Sequence, residues 1–77
     1  MVSVQIKAIA YLKDYLGNKD RIGLAVEQGA TVSEVLAKLY IPTNEVMWVL
    51  VNGLKANQLD IVHSGDEITL LPPLAGG

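Results

Sequence analysis

The chain has 77 residues, a net charge of −2, 51% hydrophobic residues and no cysteine. That length sets one domain, near the small end of what folds without staples, and the missing cysteines exclude disulfides and thiolate–metal sites. No basic cluster is present, which argues against nucleic-acid binding, since that needs lysines and arginines to neutralise phosphates. With Gly counted in and Tyr left out, apolar residues reach about 56%, against a usual ~45–50%. So small a domain cannot hide all of that surface. Either its core is unusually rich in small aliphatics, or an apolar patch is covered by a partner. The longest apolar run, 46–51, is too short to span a bilayer. The opening residues alternate and lack the basic-then-apolar layout of a signal peptide. The expectation is a soluble, cytoplasmic protein with no membrane partner.

Val2, Val4, Ile6 and Ala8 alternate with Ser3, Gln5 and Lys7, the period of a half-buried strand. Residues 11–17 fit one short helical turn stopped by Gly17, and Asn18-Lys19-Asp20 is turn chemistry. Residues 21–27 form a second strand with Ile22, Leu24 and Val26 on one face. The connection is short and holds no long helix, so the two strands pair antiparallel. Gln28-Gly29-Ala30 is a loop. Thr31 followed by Glu34 at N3 makes a capping box. Val32, Val35, Leu36 and Leu39 then mark one helix face, which Pro42 ends by Tyr40 or Ile41.

Residues 46–51 are apolar on both faces, as in a strand covered on both sides or touching a partner. Asn52-Gly53 is a hairpin signal. A short strand over 55–59, a tight turn or 3₁₀ segment over 60–63 and a turn at Ser64-Gly65-Asp66 lead to the last strand, 67–71. One amphipathic helix must then cover one face of a small mixed sheet, an α+β arrangement. The first and last strands suit its centre, because both alternate cleanly and neither holds proline.

The chain closes on Leu70-Leu71-Pro72-Pro73-Leu74-Ala75-Gly76-Gly77. Pro72 and Pro73 lack N–H donors and fix φ, so they end the ladder and hold the next residues extended. Gly76 and Gly77 have no Cβ, so their backbone fits a channel too narrow for side chains. A frayed terminus is the plain alternative. The combination reads as a tail delivered into another protein's active site.

Val51-Asn52-Gly53, then Ser64-Gly65-Asp66-Glu67-Ile68, then Pro72-Pro73-Leu74-Ala75-Gly76-Gly77 resembles the ubiquitin-like sulfur carriers, closest to the small subunit of molybdopterin synthase. The resemblance covers essentially the whole chain. It implies a β-grasp domain over 1–71 and an extended tail over 72–77. It further implies that a ubiquitin-activating-like enzyme adenylates the Gly77 carboxylate with ATP, which the activating enzyme consumes, no cofactor being bound by the carrier itself. A persulfide partner then supplies sulfur to give a thiocarboxylate, and the synthase large subunit uses it for molybdopterin synthesis. Gly77 is thus the reacting residue, and Pro72, Pro73, Leu74, Ala75 and Gly76 insert into the partner. The carrier supplies no catalytic side chain and no metal site. Thiamine-pathway carriers also end in Gly-Gly but usually lack the paired prolines; other carriers of this shape serve transfer RNA thiolation or attach to protein lysines. Leu70-Leu71 stands where aromatic residues are common in the molybdopterin carriers.

Other residues carry weaker signals. His63 stands in a predicted turn without a second ligand and reads as a solvated loop residue. Asp60, Asp66 and Glu67 are either solvated turn charges or contacts to basic residues around a partner's channel. Trp48 with Met47 is either an interface anchor or ordinary core. Lys55 reads as an exposed turn residue.

Overall fold

Alternating apolar residues at Val4, Ile6 and Ala8 form the buried side of strand β1 (Val2–Ala8), in the computed structural model, which describes residues 1–73. The chain then enters a 3₁₀ segment, Ala10–Leu16, anchored by buried Leu12 and Leu16. Gly17 ends it at φ 68, the left-handed cap for which the missing Cβ suits glycine. Strand β2 (Arg21–Val26) returns antiparallel to β1, with Ile22, Leu24 and Val26 opposite Ile6, Val4 and Val2.

Helix α1 (Val32–Lys38) begins as the capping box requires: the Glu34 N–H donates to Thr31 Oγ1 at 3.3 Å and the Thr31 N–H to Glu34 Oε1 at 3.1 Å. The next two orphan amides are also satisfied. Val32 donates to the Asp60 carbonyl and Ser33 to that of Gln58, each at 2.9 Å. The loop before the last strand is thereby tied to the helix start, with an isolated bridge between Thr31 and Ile61 where a tight turn or 3₁₀ segment was expected.

The helix stops at Lys38, with Leu39 as its cap, two or three residues before the expected end at Tyr40 or Ile41. The reason lies in Tyr40, at φ 59. With it left-handed, Tyr40 donates to the Ala37 carbonyl at 3.1 Å and Ile41 to that of Leu36 at 2.9 Å. This is a Schellman closure, completed by burial of both Ile41 and Leu36 in the core.

A second 3₁₀ segment, Thr43–Glu45, precedes β3 (Trp48–Val51). This strand is shorter than the apolar run 46–51, because Val46 turns inward to the core and the 3₁₀ turn occupies the preceding residues. Asn52 at φ 55 and Gly53 at φ 85 make the hairpin turn to β4 (Leu54–Ala56). β4 ends earlier than expected, since Asn57 donates its N–H to Asp60 Oδ2 at 3.0 Å and closes a turn there. The last strand, β5 (Glu67–Leu71), completes a five-stranded sheet in the order β2-β1-β5-β3-β4.

β5 pairs parallel with β1 and antiparallel with β3, so the first and last strands do hold the middle. Ile6 faces Ile68, Ala8 faces Leu70, and all four are buried. Val32, Val35 and Leu36 of α1 join the same cluster, with Leu12, Leu16, Ile41 and Val62 filling its margins. One face of the sheet is thus covered and the other is open. This is the α+β, ubiquitin-like β-grasp architecture. Among the described residues no helix is long and apolar enough to cross a membrane.

Tyr40 is 87% exposed, so its ring packs against little while its backbone bears the left-handed penalty. Replacing Tyr40 by Gly is expected to raise unfolding free energy by about 0.5–1 kcal/mol. Urea denaturation measures this, and a lowered midpoint at equal slope would contradict it.

Candidate functional site

The site assembles where β5 ends. β1 runs parallel to β5 and β3 antiparallel to it, so the C-terminal end of β1 and the N-terminal start of β3 meet at Leu71. Each flank takes one of the last two β5 carbonyls. The Ile9 N–H donates to Leu70 at 3.0 Å and the Met47 N–H to Leu71 at 2.8 Å. Pro72 and Pro73 come next, half-buried and outside the strand, and having no N–H they cannot prolong the ladder. They leave from the middle of the sheet, as expected. Leu74, Ala75, Gly76 and Gly77 lie outside the described residues, and with them the expectations placed on those four.

The open face beside this exit is built by the pleat. Pairing of Val49 with Leu70 and of Val51 with Ile68 turns those side chains to the core, which leaves Trp48, Leu50, Thr69 and Leu71 on the other side. The strand over 48–51 is therefore covered on one side only. Trp48 is 42% exposed and neighbouring Met47 55%, which decides against ordinary core packing for both. Lys55 lies opposite Leu50 in β4. It is exposed as expected, but it stands in the strand rather than the turn, and its ammonium sits 4.0 Å from the centre of the Trp48 ring, a cation–π contact. Toward β1 and β2 the face becomes polar: Gln5 and Lys7 stand there, and Arg21 reaches across to Glu67 at 2.9 Å. The outcome is an apolar half-face with a charged border, adjoining the tail root.

At the opposite end of β5 the acidic residues serve the backbone. Asp66 accepts from Asn52 Nδ2 at 2.9 Å and from the His63 N–H at 2.7 Å. Asn52 Oδ1 accepts the Glu67 N–H, and the Asn52 N–H donates to the Glu67 carbonyl. The Asn-Gly and Gly-Asp-Glu signatures are one joint, clamping the β3–β4 turn to the start of β5. Asp60 is likewise engaged by the Asn57 amide. The His63 side chain is 78% exposed and its Nδ1 lies 3.9 Å from Asp66. Among the described residues no group of three His, Asp or Glu side chains converges to hold a metal ion.

One contact at the tail root had no sequence signal. Tyr11 donates its hydroxyl to Glu45 Oε2 at 3.0 Å across 34 residues. Desolvation, then the hydrogen bond and charge of Glu45, hold the phenol above its ordinary pKa.

Residues 7–77 match the ThiS family. The chain belongs to it. Among solved structures, the chain is similar to SAMP1, a small archaeal modifier protein, from Haloferax volcanii, at 30% identity and a TM-score of 0.77, over 97% of this chain and 99% of that one. It also resembles a putative molybdopterin converting factor subunit 1 from Pyrococcus furiosus, at 20% identity and TM-score 0.79, over 96% of this chain and 100% of that one. A third likeness is to a chain in the complex of molybdopterin-converting factor subunits 1 and 2 from Helicobacter pylori, at 21% identity and TM-score 0.65, over 99% and 100% of the two chains. The last two likenesses show the fold alone. No curated protein matches the chain. The family and fold make it a ThiS-type, ubiquitin-like sulfur carrier or modifier.

Because the Asp66 carboxylate, with a side chain only 13% exposed, holds two donors, Asp66→Ala leaves both without a partner. The expected cost is about 1–3 kcal/mol of stability. Chemical denaturation would show it, and a change within ~0.5 kcal/mol, as at an ordinary surface position, would contradict it.

Proposed function

We propose that this chain carries sulfur on the carboxyl group of Gly77 and delivers it as the small subunit of a molybdopterin-synthase-type complex. The observation that carries the reading is the position of β5. A central strand ending at Leu71 and continued by two prolines roots the end of the domain in the middle of the sheet, beside the exposed Trp48 face. The domain division is 1–71 for the base and 72–77 for the tail.

The chemistry is dictated by the poor electrophilicity of a carboxylate. A Gly77 carboxylate oxygen attacks the α-phosphorus of ATP in the activating enzyme, and pyrophosphate leaves. The terminal sulfur of a persulfide donor then attacks the acyl carbon and AMP departs with the carboxyl oxygen. A second thiol cleaves the resulting acyl disulfide, releasing the thiocarboxylate and leaving a disulfide on the donor side. Atoms and electrons balance without any side chain of the carrier taking part. Pro72 and Pro73 keep the root extended, Leu74 and Ala75 give reach, and Gly76 offers no Cβ to a narrow channel. The large subunit supplies the acceptor site, as the paired subunits 1 and 2 in the Helicobacter pylori complex suggest.

A second reading has support in the 30% identity to SAMP1 of Haloferax volcanii. In it, the activated Gly77 carbonyl is taken by a lysine amine and forms an isopeptide bond. Gly-Gly remnants on lysines of other proteins after proteolysis would establish that use.

Intact mass after incubation with activating enzyme, ATP and a persulfide donor tests the first reading. One oxygen exchanged for one sulfur at the C-terminus is the expected result. Gly76→Ala should slow the exchange by steric conflict, and deleting Gly77 should abolish it with the fold intact. Sulfur on the deletion variant would sink the proposal.

Trp48→Ala probes the docking face separately. It is expected to raise the carrier's KM in the activation or transfer step by about tenfold or more, the scale of an aromatic anchor. A KM within twofold of wild type would remove Trp48 from the interface.

A further inference from the structure

The last two carbonyls of β5, next to the tail root, belong to a closed circuit. From the Leu70 carbonyl it passes through the Ile9 amide, along Ala10 to Tyr11, and across the Tyr11–Glu45 hydrogen bond. It continues through Val46 to the Met47 amide and returns to the Leu71 carbonyl. The two arms belong to segments far apart in sequence that share no ladder with each other, because β5 lies between them. Among the described residues, the side-chain bond between Tyr11 and Glu45 is the hydrogen bond that joins the two arms directly.

Two further observations bear on the circuit. Ala10 is held at φ 56, a left-handed conformation that an alanine adopts at a cost. That kink lies just beyond the end of β1 and turns the chain toward the 3₁₀ segment that presents Tyr11. Below it, buried Leu12 and Leu16 on one arm and buried Val46 on the other fix the backbone from which both side chains project. The bond itself is exposed, with Tyr11 at 48%, so it contributes little to global stability. Its consequence is directional.

We propose that Tyr11 and Glu45 form a clasp that sets the direction in which Pro72 and Pro73 leave the sheet. The clasp makes them positioning residues for the reaction at Gly77, with neither touching the reacting atoms. The inference rests on the carrier reading for its reaction, though not for its geometry. A reacting carboxylate at the end of a short tail amplifies any change of angle at the root. Since the prolines are stiff, they pass that angle on rather than absorb it. Misplacing a reacting atom by an ångström is enough to slow catalysis severely.

The test uses Tyr11→Phe, Glu45→Met and the double variant in the full chain, since neither Phe nor Met can complete the bond. With the activating enzyme, the single variants are expected to lower kcat by about three- to tenfold with KM within twofold of wild type. The double variant should be no slower than the slower single one, because both remove one bond. A raised KM with unchanged kcat would make Tyr11 a partner contact and overturn the proposal, and so would unchanged kinetics. Assays run well below the unfolding transition of every variant, so a merely structural role leaves kcat unmoved. The second arm needs no partner enzyme. Cα–Hα residual dipolar couplings of Pro72 and Pro73 should shrink in Tyr11→Phe, and unchanged couplings would overturn the clasp. If the wild-type chain were never adenylated, the carrier reading would fall while these couplings still decided whether the clasp orients the root.

Discussion

The parallel pairing of β1 with β5 is the contact on which the remaining structure depends. Parallel neighbours cannot be joined by a hairpin, so everything between them must cross over. That crossover includes α1, whose Val32, Val35 and Leu36 close the core against Ile6, Ile68 and Leu70. The pairing also sends the end of the chain outward from the middle of the sheet. Were β5 an edge strand, its last carbonyls would have a neighbour on one side only and the exit would be loose. Here Ile9 and Met47 hold it from both sides.

β5 is consequently fixed at each end by different means. At its start, Asn52 donates to the Asp66 carboxylate and accepts the Glu67 N–H, which joins the two turns. At its finish the Ile9 and Met47 amides hold the last two carbonyls, and the Tyr11–Glu45 bond joins the two flanking segments. The first arrangement is half-buried and energetic, while the second is exposed and geometric. The open face between them carries Trp48, Leu50, Thr69 and Leu71 up to the prolines.

Much of this was legible in the residues. Period-two alternation announced β1, β2 and β5, the Thr31–Glu34 pair announced the helix start, and Asn52-Gly53 announced its turn. Proline-free alternation also placed β1 and β5 centrally. What escaped depended on nonlocal or atypical conformation. Tyr40 ends the helix from a left-handed state that carries no sequence mark in a tyrosine. An apolar run over 46–51 does not say which of its residues join the ladder, and packing of Val46 into the core decided it. Lys55 found Trp48 only because the register sets it across from Leu50. The Tyr11–Glu45 bond joins segments 34 residues apart, beyond any local rule. The bond from the Asn57 amide to Asp60 cut short the strand expected over 55–59.

Lys55 has one more effect, on self-association. β4 is an edge strand of three residues with Lys55 at its centre. If two copies added these edges to each other in antiparallel register, Leu54 would face Ala56 of the other copy and the two Lys55 ammonium groups would stand directly opposed. Like charges in that position repel, and edge lysines commonly deter such joining. The lysine that lies on Trp48 would thus disfavour edge-to-edge pairing at a rim where Leu54, Leu59 and Ile61 are exposed. A single charge at the centre of this edge therefore opposes its pairing with the same edge of another copy.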